Sequence, residues 1–356
     1  MAVFQYSNPL VIHWGAGSLA KLDHELQRLA AHRVAIVTTR SLITAQSPLG
    51  GDALVARVRQ AMGGAVSPIT FQISQHAPLQ EVEEAIDRAG EAGLDGVVSF
   101  GGGSPIDAAK IIAVRLADRR SLADRALPHI AIPTTLSAAE LAGSAGFTDA
   151  SGTKAGVRDP RLLPDAVIYD AELTLNTPAA LWLSTGIRAL DHAVEGFLAD
   201  GDHPFSDLMA LEGVRRLFRT LPEAKARPKD LGVRTENQLA AWFSFTLPAA
   251  SASGLSHVLG KQIGARHRIP HGVTSCLLLP HVMRFMGANK PERMQLLAEV
   301  TGGDPADAVE RLVASLGLPQ HIADYGIGEP ELRVAASELA GKYEEPDVLR
   351  IYLAAL

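Results

Sequence analysis

The chain has 356 residues, with 33 basic against 39 acidic side chains and a formal net charge of −6. That length allows two domains with sizeable cores, and the acidic balance, without basic runs or aromatic–basic interleaving, argues against nucleic acid as a partner. Hydrophobic residues make up 47% and aromatic residues only 5%, so aliphatic cores are expected; no uncharged apolar run is long enough to span a membrane.

Residues 1–155 alternate strand-like and helix-like pieces. RVAIVTT (33–39) is a short apolar run of the kind a buried parallel strand produces. PLQEVEEAIDRAGEAG (78–93) places Val82, Ala85, Ile86 and Ala89 on one helical face. GVVSFGGGS (96–104) reads as a strand entering a glycine turn, PIDAAKIIAVRLA (105–117) as the helix after it, and HIAIPTT (129–135) as another buried strand. This alternation predicts a doubly wound α/β domain. Residues 156–356 change character: 178–199, 205–221, 235–253, 291–302 and 304–317 all have helical spacing. The expected architecture is an α/β dinucleotide-binding domain over 1–155 and an all-helical catalytic domain over 156–356, with a cleft between them for ligand.

The turn Gly101-Gly102-Gly103-Ser104-Pro105-Ile106-Asp107 has the chemistry of a phosphate cradle. Glycines let backbone N–H groups approach a diphosphate, and the following helix N-terminus adds partial positive charge. Ser104 is expected to cap that helix, with Pro105 at its first position. It is not the GxGxxG fingerprint. A second turn, Thr134-Thr135-Leu136-Ser137, also ends a strand, and its hydroxyls suit ribose, phosphate or nicotinamide amide. Thr39 and Arg40, at the end of the first buried strand, and Lys154 complete the expected cofactor set. A carboxylate at such a strand end repels a 2′-phosphate; Thr39 with Arg40 instead tolerates NADP, so the cofactor is read as NAD or NADP.

The helical half carries His192, His257 and His271, in an order that suits a divalent cation. One turn before His192, however, stands Arg188, which has no free lone pair and stays protonated. Lys261 lies one turn beyond His257. Asp191 is read as lying on a different face from Arg188. Fixed positive charge where a ligand is expected points to catalysis on an anionic substrate without a metal.

These segments resemble the iron-containing (group III) alcohol dehydrogenases. FGGGSPIDAAK is similar to that family's diphosphate loop and IPTTLSAAE to its threonine loop. GIRALDHAVEG is similar to the segment with its first Asp and His ligands, and SHVLGKQIGARHRIPHGVTSCLLLPHVMRF to the segment with its last two His ligands. The resemblance is greatest to the maleylacetate reductases. The shorter threonine loop fits them, and so does QHAPLQEVEEA (75–85), which marks His76 as an active-site residue. Those enzymes also lack the Asp ligand and are taken to work without a metal. Lys261 stands where both branches usually have histidine, and Asp107 with the following AAK looks more like the alcohol dehydrogenases.

The resemblance implies a dehydroquinate synthase-like fold, a homodimer and a metal-independent, NAD(P)H-dependent reductase of a small carboxylated oxo acid or unsaturated oxo acid. Arg188, His192, His257, Lys261, His271 and His76 are the expected catalytic residues. Two alternatives stand beside it: a metal-dependent alcohol or polyol dehydrogenase with three His ligands, and a lyase or isomerase on the same fold. A dinucleotide-binding protein without catalysis is the remaining possibility. The one cysteine, Cys276, excludes an internal disulfide and suits a reducing cytoplasm, and residues 1–20 have no signal-peptide pattern.

Overall fold

The structure, a computed structural model, describes residues 9–122, 124–245 and 254–356. Contacts divide the chain into two compact units, one running to Thr177 and including Lys229–Gln238, the other comprising Pro178–Pro228 and Leu239–Leu356.

The first unit is built on β1 (Val11–Trp14), α1 (Leu22–Arg28), β2 (Val34–Thr38), α2 (Arg40–Ile43), α3 (Leu54–Ala61), β3 (Val66–Gln72), α4 (Leu79–Glu91), β4 (Gly96–Gly101), α5 (Gly103–Arg119), β5 (His129–Pro133), β6 (Ser144–Thr148), β7 (Lys154–Arg158) and β8 (Ala166–Tyr169). Six strands form a parallel sheet in the order β1-β8-β5-β4-β2-β3, and β6 pairs with β7 as a separate antiparallel hairpin. β8, which lies beyond residue 155, is an inner strand between β1 and β5.

The central strands β2, β4 and β5 are buried at every residue, as expected where helices cover both faces. Side-chain alternation sends Ala35 and Val37 to one face, packed with Val82, Ile86 and Ile112 of α4 and α5. Val34 and Ile36 go to the other, packed with Leu22, Leu26, Leu54 and Val58 of α1 and α3. The three strand runs and two helices expected here are present, each within a few residues. β1, β3, β8 and the β6–β7 hairpin had no strong sequence signal, being short or partly exposed.

The second unit is helical: α6 (Ala179–Phe197), α7 (Pro204–Ala226), the end of α8 (Leu231–Ser244), α9 (Leu255–His267), α10 (His271–Gly287), α11 (Pro291–Thr301), α12 (Pro305–Leu316), α13 (Glu329–Ser337) and α14 (Glu345–Ala354). The helix expected over 235–253 is seen as α8 as far as Ser244, and 246–253 lie outside the described residues. α10 packs against α6, α9, α12 and α14. α6 is buried nearly all round from Trp182 to Phe197, the pattern of a central helix. Close approach of α6 and α10 depends on Gly272, where a Cβ would lie 2.8 Å from the Ser184 backbone carbon. Among the described residues no helix is long and apolar enough to cross a membrane.

Candidate active site

In the α/β unit the sheet order brings the expected cofactor residues to one edge. β2 and β4 are neighbours, yet the chain leaves them in opposite directions, β2 towards β3 and β4 towards β5. That reversal is the place where open α/β sheets bind ligands, outside the carboxyl ends of the strands. Thr38 pairs with Phe100 and Gly101 with Pro133, so the three strand ends are in register. They lead directly into Thr39–Arg40, Gly102–Gly103 and Thr134–Thr135. Gly101 has φ +146°, and a Cβ there would sit 2.7 Å from Pro105 Cγ; a Cβ on Gly102 would press on Thr135 Cγ2 at 3.1 Å. The turn thus requires glycine, and its backbone lies against the threonine loop. The Thr134 N–H donates to Gly101 O at 2.9 Å, and Thr135 Oγ1 donates to Ser137 Oγ at 3.2 Å. Thr39 precedes α2 and is half-buried, while Arg40 is exposed.

Ser104 has a different task from the one expected. Gly102 is the N-cap of α5 and no side chain caps it; the Ser104 hydroxyl instead accepts the N–H of His76 at 2.9 Å. His76 and Ala77 both adopt left-handed φ, +67° and +46°, uncommon for residues with a Cβ. Thr148 of β6 holds the segment by bonds to His76 O and Ala77 O, both 3.3 Å. Burial and then the charge of Lys154 hold the His76 imidazole below its ordinary pKa. Asp107 accepts from the Gly146 N–H at 3.0 Å and lies 3.6 Å from Lys110 Nζ, tying α5 to β6.

In the helical unit, α6 presents a row of charged groups, Asp191 and Glu195 buried and Arg188 half-buried. Arg188, Asp191 and Glu195 follow one another at i, i+3 and i+7, so they share a face. Asp191 is therefore not on a separate face from Arg188: Arg188 Nη1 lies 3.8 Å from Asp191 Oδ2. Arg188 Nη1 also donates to Ser275 Oγ at 3.2 Å, and Ser275 and Ser256 donate to Asp191 Oδ2 at 2.6 and 2.9 Å. α9 brings its first turn onto this row, where His257 Nδ1 contacts Glu195 Oε2 and lies 3.6 Å from Asp191 Oδ2. The rings of His192 and His257 stack at 4.5 Å between centroids, and Phe245 meets His192 edge-on at 4.7 Å.

The electrostatics follow from burial. Desolvation raises the Asp191 carboxyl and pushes Glu195 up to about 7, against the N–H of Ser256 and the charge of Arg188. Desolvation, with Arg188 nearby, takes His257 down to about 3 and His192 well below its ordinary value. Both imidazoles are therefore neutral at pH 7. Asp191 Oδ1, His192 Nδ1 and His257 Nε2 are buried without a hydrogen-bond partner among the described residues.

The structure thus brings together Arg188, His192 and His257. Lys261 is exposed on α9, with no hydrogen bond or ion pair among the described residues, and His271 is half-buried as the first residue of α10. Sequence reasoning missed Asp191, Glu195, Ser256 and Ser275. The readable signal was the i, i+4 pair Asp191/Glu195 flanking a helical histidine. Asp191, Glu195 and His257 offer one donor atom each within 4.8 Å of one another. His192, His257 and His271 do not form such a set.

The sequence matches the iron-containing alcohol dehydrogenase family over residues 9–171 and the C-terminal part of the Fe-containing alcohol dehydrogenase family over residues 182–346. A maleylacetate reductase of Rhizobium sp. (strain MTP-10005) is 32% identical over 341 residues, 96% of this chain and 92% of that protein. A maleylacetate reductase of Pseudomonas aeruginosa is 32% identical over 346 residues, 97% of this chain and 93% of that protein. The crystal structure of maleylacetate reductase from Agrobacterium tumefaciens superposes with a TM-score of 0.86 at 29% identity, covering 100% of this chain and 99% of that one.

Proposed function

The chain belongs to the iron-containing alcohol dehydrogenase family, in its maleylacetate reductase branch, and from that premise we propose that this oxidoreductase reduces a small oxo acid or unsaturated oxo acid with NADH or NADPH and without a metal. The observation that carries the reading is Arg188. It is a half-buried cation, 15% exposed, one turn before His192, hydrogen-bonded to Ser275 and paired with Asp191. A divalent ion on the neighbouring imidazoles would face that guanidinium across a few ångströms of low-dielectric interior. The acidic donors are also partly engaged already, Asp191 through Oδ2 by two serine hydroxyls and Glu195 by the Ser256 N–H and His257. Both observations support a site that works without an ion.

The α/β unit would hold the cofactor. Gly101–Gly103 and the start of α5 suit its diphosphate, and Thr134, Thr135 and Ser137 suit its polar groups. Thr39 and Arg40 meet the adenosine ribose, and the absence of a carboxylate at Thr39 is compatible with a 2′-phosphate. Asp107 and Lys154 support this wall from α5 and β7. When bound, the dinucleotide supplies the hydride. The protein's part is charge and a proton. Arg188 stabilises negative charge on the substrate oxygen or grips a substrate carboxylate by charge-assisted hydrogen bonds. His257 delivers the proton; His192 walls the ring in by stacking, and His271 and Lys261 offer further contacts to an anion. His76 is retained as a candidate contact for substrate or nicotinamide. A neutral alcohol would leave Arg188 desolvated and unmatched, which is costly, whereas an acid would not. The reading carries with it a homodimer working in the cytoplasm, where the buried Cys276 stays reduced.

A second reading has one observation in its favour: the donor set Asp191, Glu195 and His257. It would make the enzyme a metal-dependent dehydrogenase. One experiment separates the two: elemental analysis of the purified protein, with NADH and NADPH oxidation on maleylacetate before and after chelation. Substoichiometric metal with chelator-resistant turnover is expected. One iron or zinc per chain, with activity lost on chelation, would overturn the metal-free reading.

A further inference from the structure

We infer that Glu195 is the positioning residue of the site: it holds the His257 imidazole by Nδ1 and so makes Nε2 the nitrogen that exchanges a proton with substrate. The inference rests on the reductase reading and adds to it a residue that does not itself touch substrate.

Glu195 is almost fully buried on α6, with 3% of its surface exposed. One carboxylate oxygen accepts the Ser256 backbone N–H, and the other meets His257 Nδ1. The same carboxylate therefore grips the first turn of α9 twice, once by its backbone and once by its imidazole. The chain makes room for it at Gly254, the N-cap of α9, where a Cβ would sit 2.3 Å from the Glu195 carboxyl carbon. Two further groups restrict the ring. His192 stacks on its face at 4.5 Å and Asp191 Oδ2 lies 3.6 Å from Nδ1. Held in this way, His257 has one nitrogen left, Nε2, which is buried and has no partner among the described residues.

A neutral imidazole has one donor nitrogen and one acceptor, and the partner at one nitrogen decides the role of the other. As the substrate oxyanion is protonated, the Nε2–H bond breaks and the product O–H bond forms. The proton between the Glu195 carboxyl and the ring passes to Nδ1. The ring stays neutral beside Arg188, and Glu195 is left as the carboxylate. Solvent returns the proton in the next cycle.

The test is Glu195→Gln in the full chain, with nitrogen NMR on the histidine rings of the variant and the wild type. Glutamine keeps the volume and the acceptor for the Ser256 N–H but cannot pass a proton. Turnover of maleylacetate is expected to fall about 10²-fold with KM little changed, in the range of a lost general acid. The melting temperature should stay close to that of the wild type, Glu195→Asp should recover part of the rate, and the His257 ring signals should change. Unaltered turnover in a folded variant would overturn the inference. Should the glutamine variant not fold, the wild-type ring decides: His257 signals typical of a water-exposed imidazole would remove Glu195's hold. Failure of the wild type to oxidise NADH or NADPH with any oxo acid would instead sink the reductase reading, while the ring signals still report on Glu195 and His257.

Discussion

Lys110 of the α/β unit and Arg188 of the helical unit are two cations drawn in from solvent, and they are treated in opposite ways. Lys110 of α5 is fully buried, and its ammonium donates to the carbonyls of Ala139, Ala142 and Ser144. All three of its donors are engaged, with Asp107 close by. Arg188 of α6 has five N–H donors, yet among the described residues it makes one hydrogen bond, to Ser275, and one ion pair, to Asp191. Its neighbours Asp191, His192 and His257 each keep a buried atom without a partner among the described residues. A closed network ties structure together: Lys110 links α5 to the segment after the threonine loop. An open one has donors and acceptors ready for something that arrives. Buried charge alone does not mark an active site; a cation whose own donors are left open is the better sign.

The contrast can be broken by exchanging which property each cation controls. Lys110→Met leaves three carbonyls and the Asp107 carboxylate without their partner, and is expected to cost about 3–5 kcal/mol of stability. Urea unfolding should show a lower midpoint at unchanged slope; a midpoint like the wild type's would mean that Lys110 is no structural clamp. Arg188→Leu should do the reverse. Turnover on an oxo acid is expected to drop about 10²–10³-fold, as when a donor to a developing oxyanion is lost. Its unfolding midpoint should shift little, because Asp191 keeps two serine donors. Undiminished turnover on acids would remove Arg188 from the chemistry.

A smaller effect sharpens the account of the closed region. His129 of β5 is 2% exposed, and its Nε2 pairs with Ser99 Oγ at 2.8 Å. Burial, with the charge of Lys110, takes its pKa down to about 3, against roughly 6.5 when unfolded. The native state thus binds fewer protons than the unfolded one between those values. The stability that this neutral ring contributes is complete above about pH 6.5 and is lost as pH falls towards 3, by up to about 1.4 kcal/mol per unit. The stability difference between wild type and His129→Gln should therefore shrink as the buffer is taken from pH 7 to 4. Parallel pH profiles would show that the histidine is charged in the fold or exposed in it. At the bottom of the scale, Arg284 is 40% exposed and bonded to Asp307 and Glu310. Arg284→Ala should cost no more than about 1 kcal/mol, and less in high salt. A larger loss would blur the line between surface pairing and the buried clamp.

Most of the architecture was readable because it is local. The runs at 33–39, 96–101 and 129–133 are apolar throughout, which only a doubly covered strand tolerates, and the glycine turn after β4 is written in consecutive residues. The same holds for Arg188 and His192, which are recognisable from their spacing along one helix. What failed was reasoning about which side chains meet, within one helix and between elements. Asp191 was set apart from Arg188 although i+3 is also a neighbouring position. Glu195 drew no notice because its partner, the first turn of α9, lies some sixty residues away. Lys261 has the spacing to share a face with His257, yet α9 leaves it exposed. Ser104 looked like a cap, but Gly102 starts α5 and the hydroxyl holds His76 instead.

Legible in the chain alone were the central buried strands, the glycine and threonine turns at their ends, and a helical half carrying His192, His257 and His271 with a cation, Arg188, where a ligand was expected. Those features depend on hydrophobic period and on backbone freedom within a few residues. Helix packing is what sets Asp191 and Glu195 beside both Arg188 and His257 and leaves Lys261 facing water. Those outcomes depend on which helices pack together, and burial then sets which of the charged groups remain charged.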